Sequence, residues 1–152
     1  MKPNPFLSFV KANVYLAAGR LHFPKARIGE LVQVEDGATV TTFTIFRELI
    51  IKPPRLGWDE EHGARFKARF HVEKMSPKKN KVFSLLTIPF FIGLKGFRSK
   101  IWLQDEKGGD AMGIYEWQTV DDARNYSESF AVRFMTKRSV EGSTSFTIDS
   151  II

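Results

Sequence analysis

Two short stretches constrain this chain most. They are Gly96–Gln104 (GFRSKIWLQ) and Ala111–Gln118 (AMGIYEWQ), separated by the polar run Asp105–Asp110 (DEKGGD). Both alternate side chains with the period of a β-strand. The connection is too short for a crossover, so the two strands run antiparallel. On the first, Phe97, Ser99, Ile101 and Leu103 are expected on one face, with Arg98, Lys100, Trp102 and Gln104 on the other. A lone two-stranded ribbon is marginal in water, so the flanking sequence must supply more strands and a helical layer.

The flanks supply both. Upstream, Ala64–Lys74 alternates, with Phe66, Ala68, Phe70 and Val72 opposite Arg65, Lys67, Arg69, His71 and Glu73. Ser76-Pro77 then reads as an N-cap followed by proline at the first helical position. Val82, Leu85 and Leu86 continue at helical spacing, Pro89 ends or kinks that helix, and Gly93 and Gly96 mark its exit. Downstream, Thr119 caps a helix carrying Asp121 and Asp122 in its first turn. Val120, Ala123, Tyr126, Phe130 and Phe134 share one face, and Lys137 and Arg138 suit its end. Ser139–Ile148 alternates again through Thr144, Phe146 and Ile148. The order from Ala64 onward is βαββαβ with an antiparallel sheet, a ferredoxin-like α+β unit spanning 64–152.

Residues 1–63 read as an elaboration packed on that unit. Asn4 and Pro5 open a helix, Gly19 closes it, and Phe6, Phe9, Val10, Val14 and Ala17 share a face. That face is expected to pack on its own domain, with a membrane surface or a partner as alternatives. Lys11 interrupts the apolar stretch, so the segment is read as mature protein rather than a leader. Glu30–Glu35 and Ala38–Ile50 form a hairpin, with Asp36-Gly37 as a type I′ turn. The stretch Ile51–Gly63, with Pro53, Pro54 and Gly57, is the expected boundary.

Composition narrows the chemistry. There is no cysteine, which excludes disulfides, thiolate nucleophiles and cysteine-bound metals and is consistent with a cytoplasmic setting. No apolar run is long enough to span a bilayer. The net charge is +6, but the cations are dispersed; Lys78, Lys79 and Lys81 and Arg65, Lys67 and Arg69 are the densest groups. This reads as a solvated basic face rather than a specific nucleic-acid site. There are 14 phenylalanines, which fit a ring-rich core or an aromatic-lined pocket. No metal-ligand cluster, phosphate loop or serine-hydrolase elbow is present, and no metal or cofactor is expected.

The segment Gly96–Ser129 resembles the dimeric α/β-barrel superfamily, which includes antibiotic-biosynthesis monooxygenase-like proteins. The shared features are Gly-Phe-x-x-Lys-x-Trp at Gly96–Trp102, Gly-x-Tyr-x-aromatic at Gly113–Trp117, and a following helix with Ala123 and Tyr126. The resemblance covers about a third of the chain clearly, extends in outline from Ala64 to the end, and does not reach 1–63. Met112-Gly113 stands where relatives often carry two glycines. It implies a homodimer whose two sheets close into a barrel. It also implies a cofactor-independent monooxygenase acting on a small aromatic or polyketide-like substrate.

Such chemistry needs a base, an anion-stabilising group and an aromatic wall. His71 is the candidate base, Arg98 its catalytic partner, and Arg69 or Lys100 further cations. Trp102, Tyr115 and Trp117 are the candidate wall, and the mixed face expected to carry Arg69, His71, Arg98, Lys100 and Trp102 is expected to line a cavity. Each has a structural reading too: His71 as a strand histidine, Arg98 and Lys100 as ion-pair partners of Glu73 or Glu116, Trp102 as interface packing. Ala111 and Gly113 share a side with Tyr115 and Trp117, and small residues often lie beneath a helix. Haem degradation, another activity of the superfamily, relies on a helical histidine. His22, His62 and His71 all lie outside the two helices expected in 64–152. The rival class is a ligand-carrying or regulatory dimer without catalysis. An RNA-recognition domain has the same element order, but its strand signature is absent.

Overall fold

A computed structural model of the chain describes residues 4–17, 19–52, 63–72 and 76–151. Helix α1 spans Pro5–Ala17, and strands β1 to β4 span Leu21–His22, Leu31–Asp36, Thr39–Ile51 and Ala64–His71. Helix α2 spans Pro77–Thr87, with a 3₁₀ turn at Ile88–Phe90. Strands β5 and β6 span Phe97–Gln104 and Asp110–Trp117, α3 and α4 span Val120–Ser127 and Phe130–Arg138, and β7 spans Ser145–Ser150. Most of the expected boundary loop, residues 53–62, lies outside the described residues, as do residues 73–75 at the end of the expected Ala64–Lys74 strand and His62.

One antiparallel sheet runs in the order β1-β3-β5-β6-β4-β7, with β2 also paired to β3. Its β5-β6-β4-β7 segment is the ferredoxin-like arrangement, in which the first strand of the unit lies between the third and fourth. The elaboration extends this sheet: β3 pairs with β5, Leu49 opposite Lys100 and Arg47 opposite Trp102.

Local chemistry places the helix ends where the sequence does. The Asn4 side chain accepts from Phe6 N–H at 2.9 Å. Ser76 accepts from Lys79 N–H at 3.3 Å, and Thr119 accepts from Asp122 N–H at 3.0 Å. The α2 helix stops at Thr87, just before the turn containing Pro89.

Six expectations need correction. The α1 face expected to pack on its own domain is exposed at Phe6, Phe9, Val10 and Val14. The hairpin turn is Gly37-Ala38, since Asp36 still pairs with Thr39; the positive φ falls on Gly37, the first central residue. The expected single helix after Thr119 is two, because Ser129 turns to extended backbone at the N-cap position of a new helix, without a side-chain cap bond, and its N–H bonds Tyr126 O at 2.9 Å. The last strand begins at Ser145 rather than Ser139.

Phe97 does not share a face with Ile101 and Leu103. A bulge between Phe97 and Ser99 turns its ring to the helix side, against Phe91 and Trp117. Finally, the expected mixed cavity face does not exist as one face. On β4, Phe66 and Ala68 join the helix-side core, so Arg69 and His71 lie on the opposite side. Lys100 and Trp102 are on the helix side.

The larger core lies between sheet and helices and includes Phe66, Phe91, Trp102, Tyr115, Trp117 and Tyr126. The opposite face carries a smaller cluster of Phe43, Ile45, Leu103 and Met112. That face also holds the pairs Arg65–Glu116 and Arg69–Asp110.

Candidate functional site

The site grows out of strand pairing. Antiparallel register sets Lys100 opposite Tyr115 and Trp102 opposite Gly113, while Phe66 lies opposite Tyr115 and Ala68 opposite Gly113. These rows face the helices. Gly113, Ala68 and Ala111 are small, so neighbouring long side chains lean over them. A Cβ on Gly113 would come within 2.7 Å of Tyr115 Cε2 and 3.2 Å of Lys100 Cε. The glycine lets the amine and the phenol converge.

Above this floor, α2, the 3₁₀ turn and α4 supply a roof of rings that includes Phe83, Phe90, Phe91 and Phe134. The open space left inside is about 30 Å³, room for roughly one or two waters. A ring-sized occupant therefore needs the roof side chains to shift. Phe83 and Phe134 stack at 6.0 Å, and Phe90 meets Phe130 edge-on at 5.4 Å.

Lys100 is the unusual group. It is 5% exposed, and its Nζ lies 4.4 Å from the Tyr115 ring centre, 4.5 Å from Trp102 and 4.6 Å from Phe91. Among the described residues no carboxylate pairs with it. Two effects oppose each other. Ring faces favour the ammonium by about 0.5–2 kcal/mol per contact. Burial removes the hydration of the ion, a cost of several kcal/mol. Burial wins, aided by the positive charge of Arg47, and the amine is held well below the ordinary lysine range.

Tyr115 and Tyr126 complete the site. The Tyr126 hydroxyl donates to the Tyr115 hydroxyl at 2.8 Å, and their rings lie 4.7 Å apart. Burial raises both phenols above their usual range, so both remain protonated; at Tyr126 the neighbouring Tyr115 adds to the effect. One mutual bond uses one of two O–H protons, which leaves the other to donate to a ligand. The indole N–H of Trp102 is buried without an acceptor among the described residues. Buried donors are normally satisfied, and the indole N–H of Trp117 is unpartnered in the same way. Arg47 stands beside these groups: its guanidinium bonds the Ser84 hydroxyl and the Lys81 carbonyl, and lies 5.6 Å from the Trp102 ring.

The candidates from sequence divide between three places. Lys100, Trp102, Tyr115 and Trp117 share the helix side, with Trp117 fully buried beside Tyr126 at 4.9 Å. His71 and Arg69 share the opposite face, where both hold Asp110: His71 Nδ1 at 3.0 Å and Arg69 Nε at 2.8 Å. Arg98 sits at the β5 bulge. His71 pairs with Asp110 and Ser99 pairs with Glu116, so His71 and Arg98 stand near opposite ends of β6, about 20 Å apart at ~3.4 Å per residue. The structure does not bring those two together. Sequence reasoning assigned no role at the site to Arg47, Phe91 or Tyr126. Tyr126 alone left a signal, as the tyrosine of the helix that follows the Gly-x-Tyr-x-aromatic strand. Among the described residues no group of histidines and carboxylates could hold a metal ion.

No family model matches the chain, and no curated protein matches it. Solved structures do. A candidate monooxygenase from Fusobacterium nucleatum aligns over 78% of this chain with a TM-score of 0.51 and 8% identity. An anthrone oxidase-like protein aligns over 74% with a TM-score of 0.50 and 13% identity. The alignments span only 55% of the length of each of those two proteins. A Listeria monocytogenes protein, described as an uncharacterized ferredoxin fold protein related to antibiotic biosynthesis monooxygenases, aligns at a TM-score of 0.49 and 7% identity. That match covers 87% of this chain and 92% of that one. At such identities the common property is architecture: the chain has the ferredoxin-like α+β fold of these monooxygenase-like structures.

Proposed function

We propose that the helix–sheet pocket binds a small aromatic or polyketide-like compound and oxidises it with molecular oxygen, in the manner of a cofactor-independent monooxygenase. The observation that carries this reading is Lys100: a buried amine with lowered proton affinity, held among three rings at the pocket wall. An amine with lowered proton affinity sheds its own proton more readily and can then act as a base, and the ring wall suits a flat apolar substrate. The name of one structure sharing the fold, an anthrone oxidase-like protein, is in keeping with a doubly benzylic ring methylene, conjugated with a carbonyl across the ring, as the reacting group.

In this reading Lys100 removes a proton from such a methylene. The protonated Tyr115–Tyr126 pair and the Trp102 N–H donate to the oxygen on which the negative charge collects, in a dry site where such donors act strongly. The carbanion gives its electrons to oxygen, forming a carbon–oxygen bond and a hydroperoxide that takes up the Lys100 proton. Loss of the second methylene proton breaks the O–O bond and releases water. In balance, one methylene and one molecule of dioxygen become one ketone carbonyl and one water, with all four electrons supplied by the substrate.

The test is oxygen uptake with a panel of anthrones and phenols. Wild-type turnover is expected to fall at least 100-fold in Lys100→Met, within the range typical of losing an acid–base group. His71→Ala, on the far face, is expected to stay within about threefold. Loss of turnover in His71→Ala with Lys100→Met active would overturn the assignment. Ligand binding without any oxygen uptake would move the protein to the carrier class.

We further propose that the face bearing Ile101, Ile114 and the Arg65–Glu116 pair meets a second copy of the chain. A groove of about 250 Å³ lines it. Light scattering tests this: a strict monomer contradicts it.

A further inference from the structure

Helix α1 turns Phe6, Leu7, Phe9, Val10 and Val14 outward. Phe6 is 72% exposed, Leu7 63% and Val14 57%, and Val10 joins them. At 100° per residue Phe6, Leu7, Val10 and Val14 form one stripe, with Lys11 along its edge. The outer face of α2 continues the theme. Val82 and Leu86 are 61% and 67% exposed, and lie one and two turns beyond the exposed Lys78. The two helices are neighbours, because α1 packs on the turn Ile88–Phe90 that continues α2.

Large apolar side chains this exposed on adjacent helices call for a covering surface. Charge says which one. Neither α1 nor α2 contains an acidic residue, while the exposed Lys11, Lys78 and Lys79 flank the apolar positions. A second copy would set like charges against each other. An anionic bilayer offers the complement: headgroups for the lysines and acyl chains for the rings and leucines. Lysines extend their stems along apolar surface while their heads stay with the headgroups.

We propose that α1 and the outer face of α2 form a peripheral membrane-binding surface that takes anionic phospholipid. Neither helix crosses the bilayer; both lie in its interfacial plane. The surface is separate from the Lys100 pocket, and its occupancy does not depend on the reaction proposed there.

The test is co-flotation of the full chain with vesicles of phosphatidylcholine and phosphatidylserine (70:30) and of phosphatidylcholine alone. Binding is expected to be at least tenfold stronger to the anionic vesicles and to weaken with salt. Phe6→Ser with Leu7→Ser should abolish it. Lys78→Glu with Lys79→Glu should weaken it tenfold or more, with circular dichroism unchanged in both. All these positions are exposed, so the variants are expected to fold. Absence of flotation, equal binding to neutral vesicles, or binding that survives both double variants would overturn the proposal. So would concentration-dependent self-association abolished by Phe6→Ser with Leu7→Ser in a chain that ignores vesicles.

Discussion

Replacing Tyr126 by phenylalanine removes one hydroxyl and leaves the packing of both rings in place. The hydroxyl at stake is fully enclosed and donates to Tyr115 at 2.8 Å. Removing one partner of a buried hydrogen bond costs the desolvation of the group left behind, about 1–3 kcal/mol. Tyr115→Phe should cost a similar amount, for it strands the other hydroxyl. The double change removes both polar groups together and should cost clearly less than the sum of the singles. For a chain of this size each kcal/mol moves the melting temperature by roughly 2–4 °C. A loss of about 2 kcal/mol therefore reads as about 4–8 °C. Urea and thermal melts of the three variants form a double-mutant cycle. Silent single variants, or costs that simply add, would refute a desolvated tyrosine pair at the pocket.

Other predictions follow from the same geometry. The folded chain binds the Lys100 proton less tightly than the unfolded chain, whose lysine has the ordinary value of 10.5. Between the lowered value and 10.5 the unfolded state carries more protons, so this group makes stability rise with pH across that window. Lys100→Met should lack that alkaline gain and match or exceed the wild type in stability at about pH 7, measured as urea midpoints from about pH 6 to 10. Gly113→Ala forces a Cβ to 2.7 Å from the Tyr115 ring in a central strand and should cost about 1–3 kcal/mol in thermal melts. Asp110→Asn takes the carboxylate from both Arg69 and His71 and should cost about 1–3 kcal/mol. It should leave oxygen uptake within about threefold, because that cluster is on the far side of the sheet.

Much of the fold was legible because short-range chemistry states it. Ser76-Pro77 and Thr119 cap helices by side-chain bonds to residues three ahead, and such signals need no tertiary context. The strand pair β5–β6 was legible for the same reason, since alternation and a polar connection define a hairpin. What escaped depends on events that alternation does not encode. The bulge at Phe97/Ser99 shifts the count by one, which carries Phe97 to the face of Lys100 and Trp102. Alternation does not say which face of β4 joins which face of β5, and pairing through β6 puts Arg69 and His71 on the opposite side from Lys100. Apolar positions continue in helical phase across Ser129, so the break between α3 and α4 leaves no mark in that pattern. The outward stripe of α1 has the same periodicity as an inward one, so spacing alone could not tell packing from exposure.

The candidate site was half visible. Lys100, Trp102, Tyr115 and Trp117 were named from the strand motif, and all four share one face. Tyr126, Phe91 and Arg47 come from a helix, a turn and the added strand β3, and only the assembled sheet brings them to the same space. His71 drew attention as a histidine on a strand beside cations. Its partners, Asp110 and the Ser143 hydroxyl that accepts from its backbone N–H, tie it to structure at the end of β4.

The central claim is that rings enclose Lys100 and that its burial lowers the proton affinity of the amine. Nuclear magnetic resonance of the lysine Cε groups across pH tests it directly, with Lys100→Met to assign the signal. The signal of Lys100 should be displaced upfield by Tyr115, Trp102 and Phe91 and should titrate well below the ordinary lysine value. A Lys100 signal that titrates at the ordinary lysine value of 10.5 would contradict it.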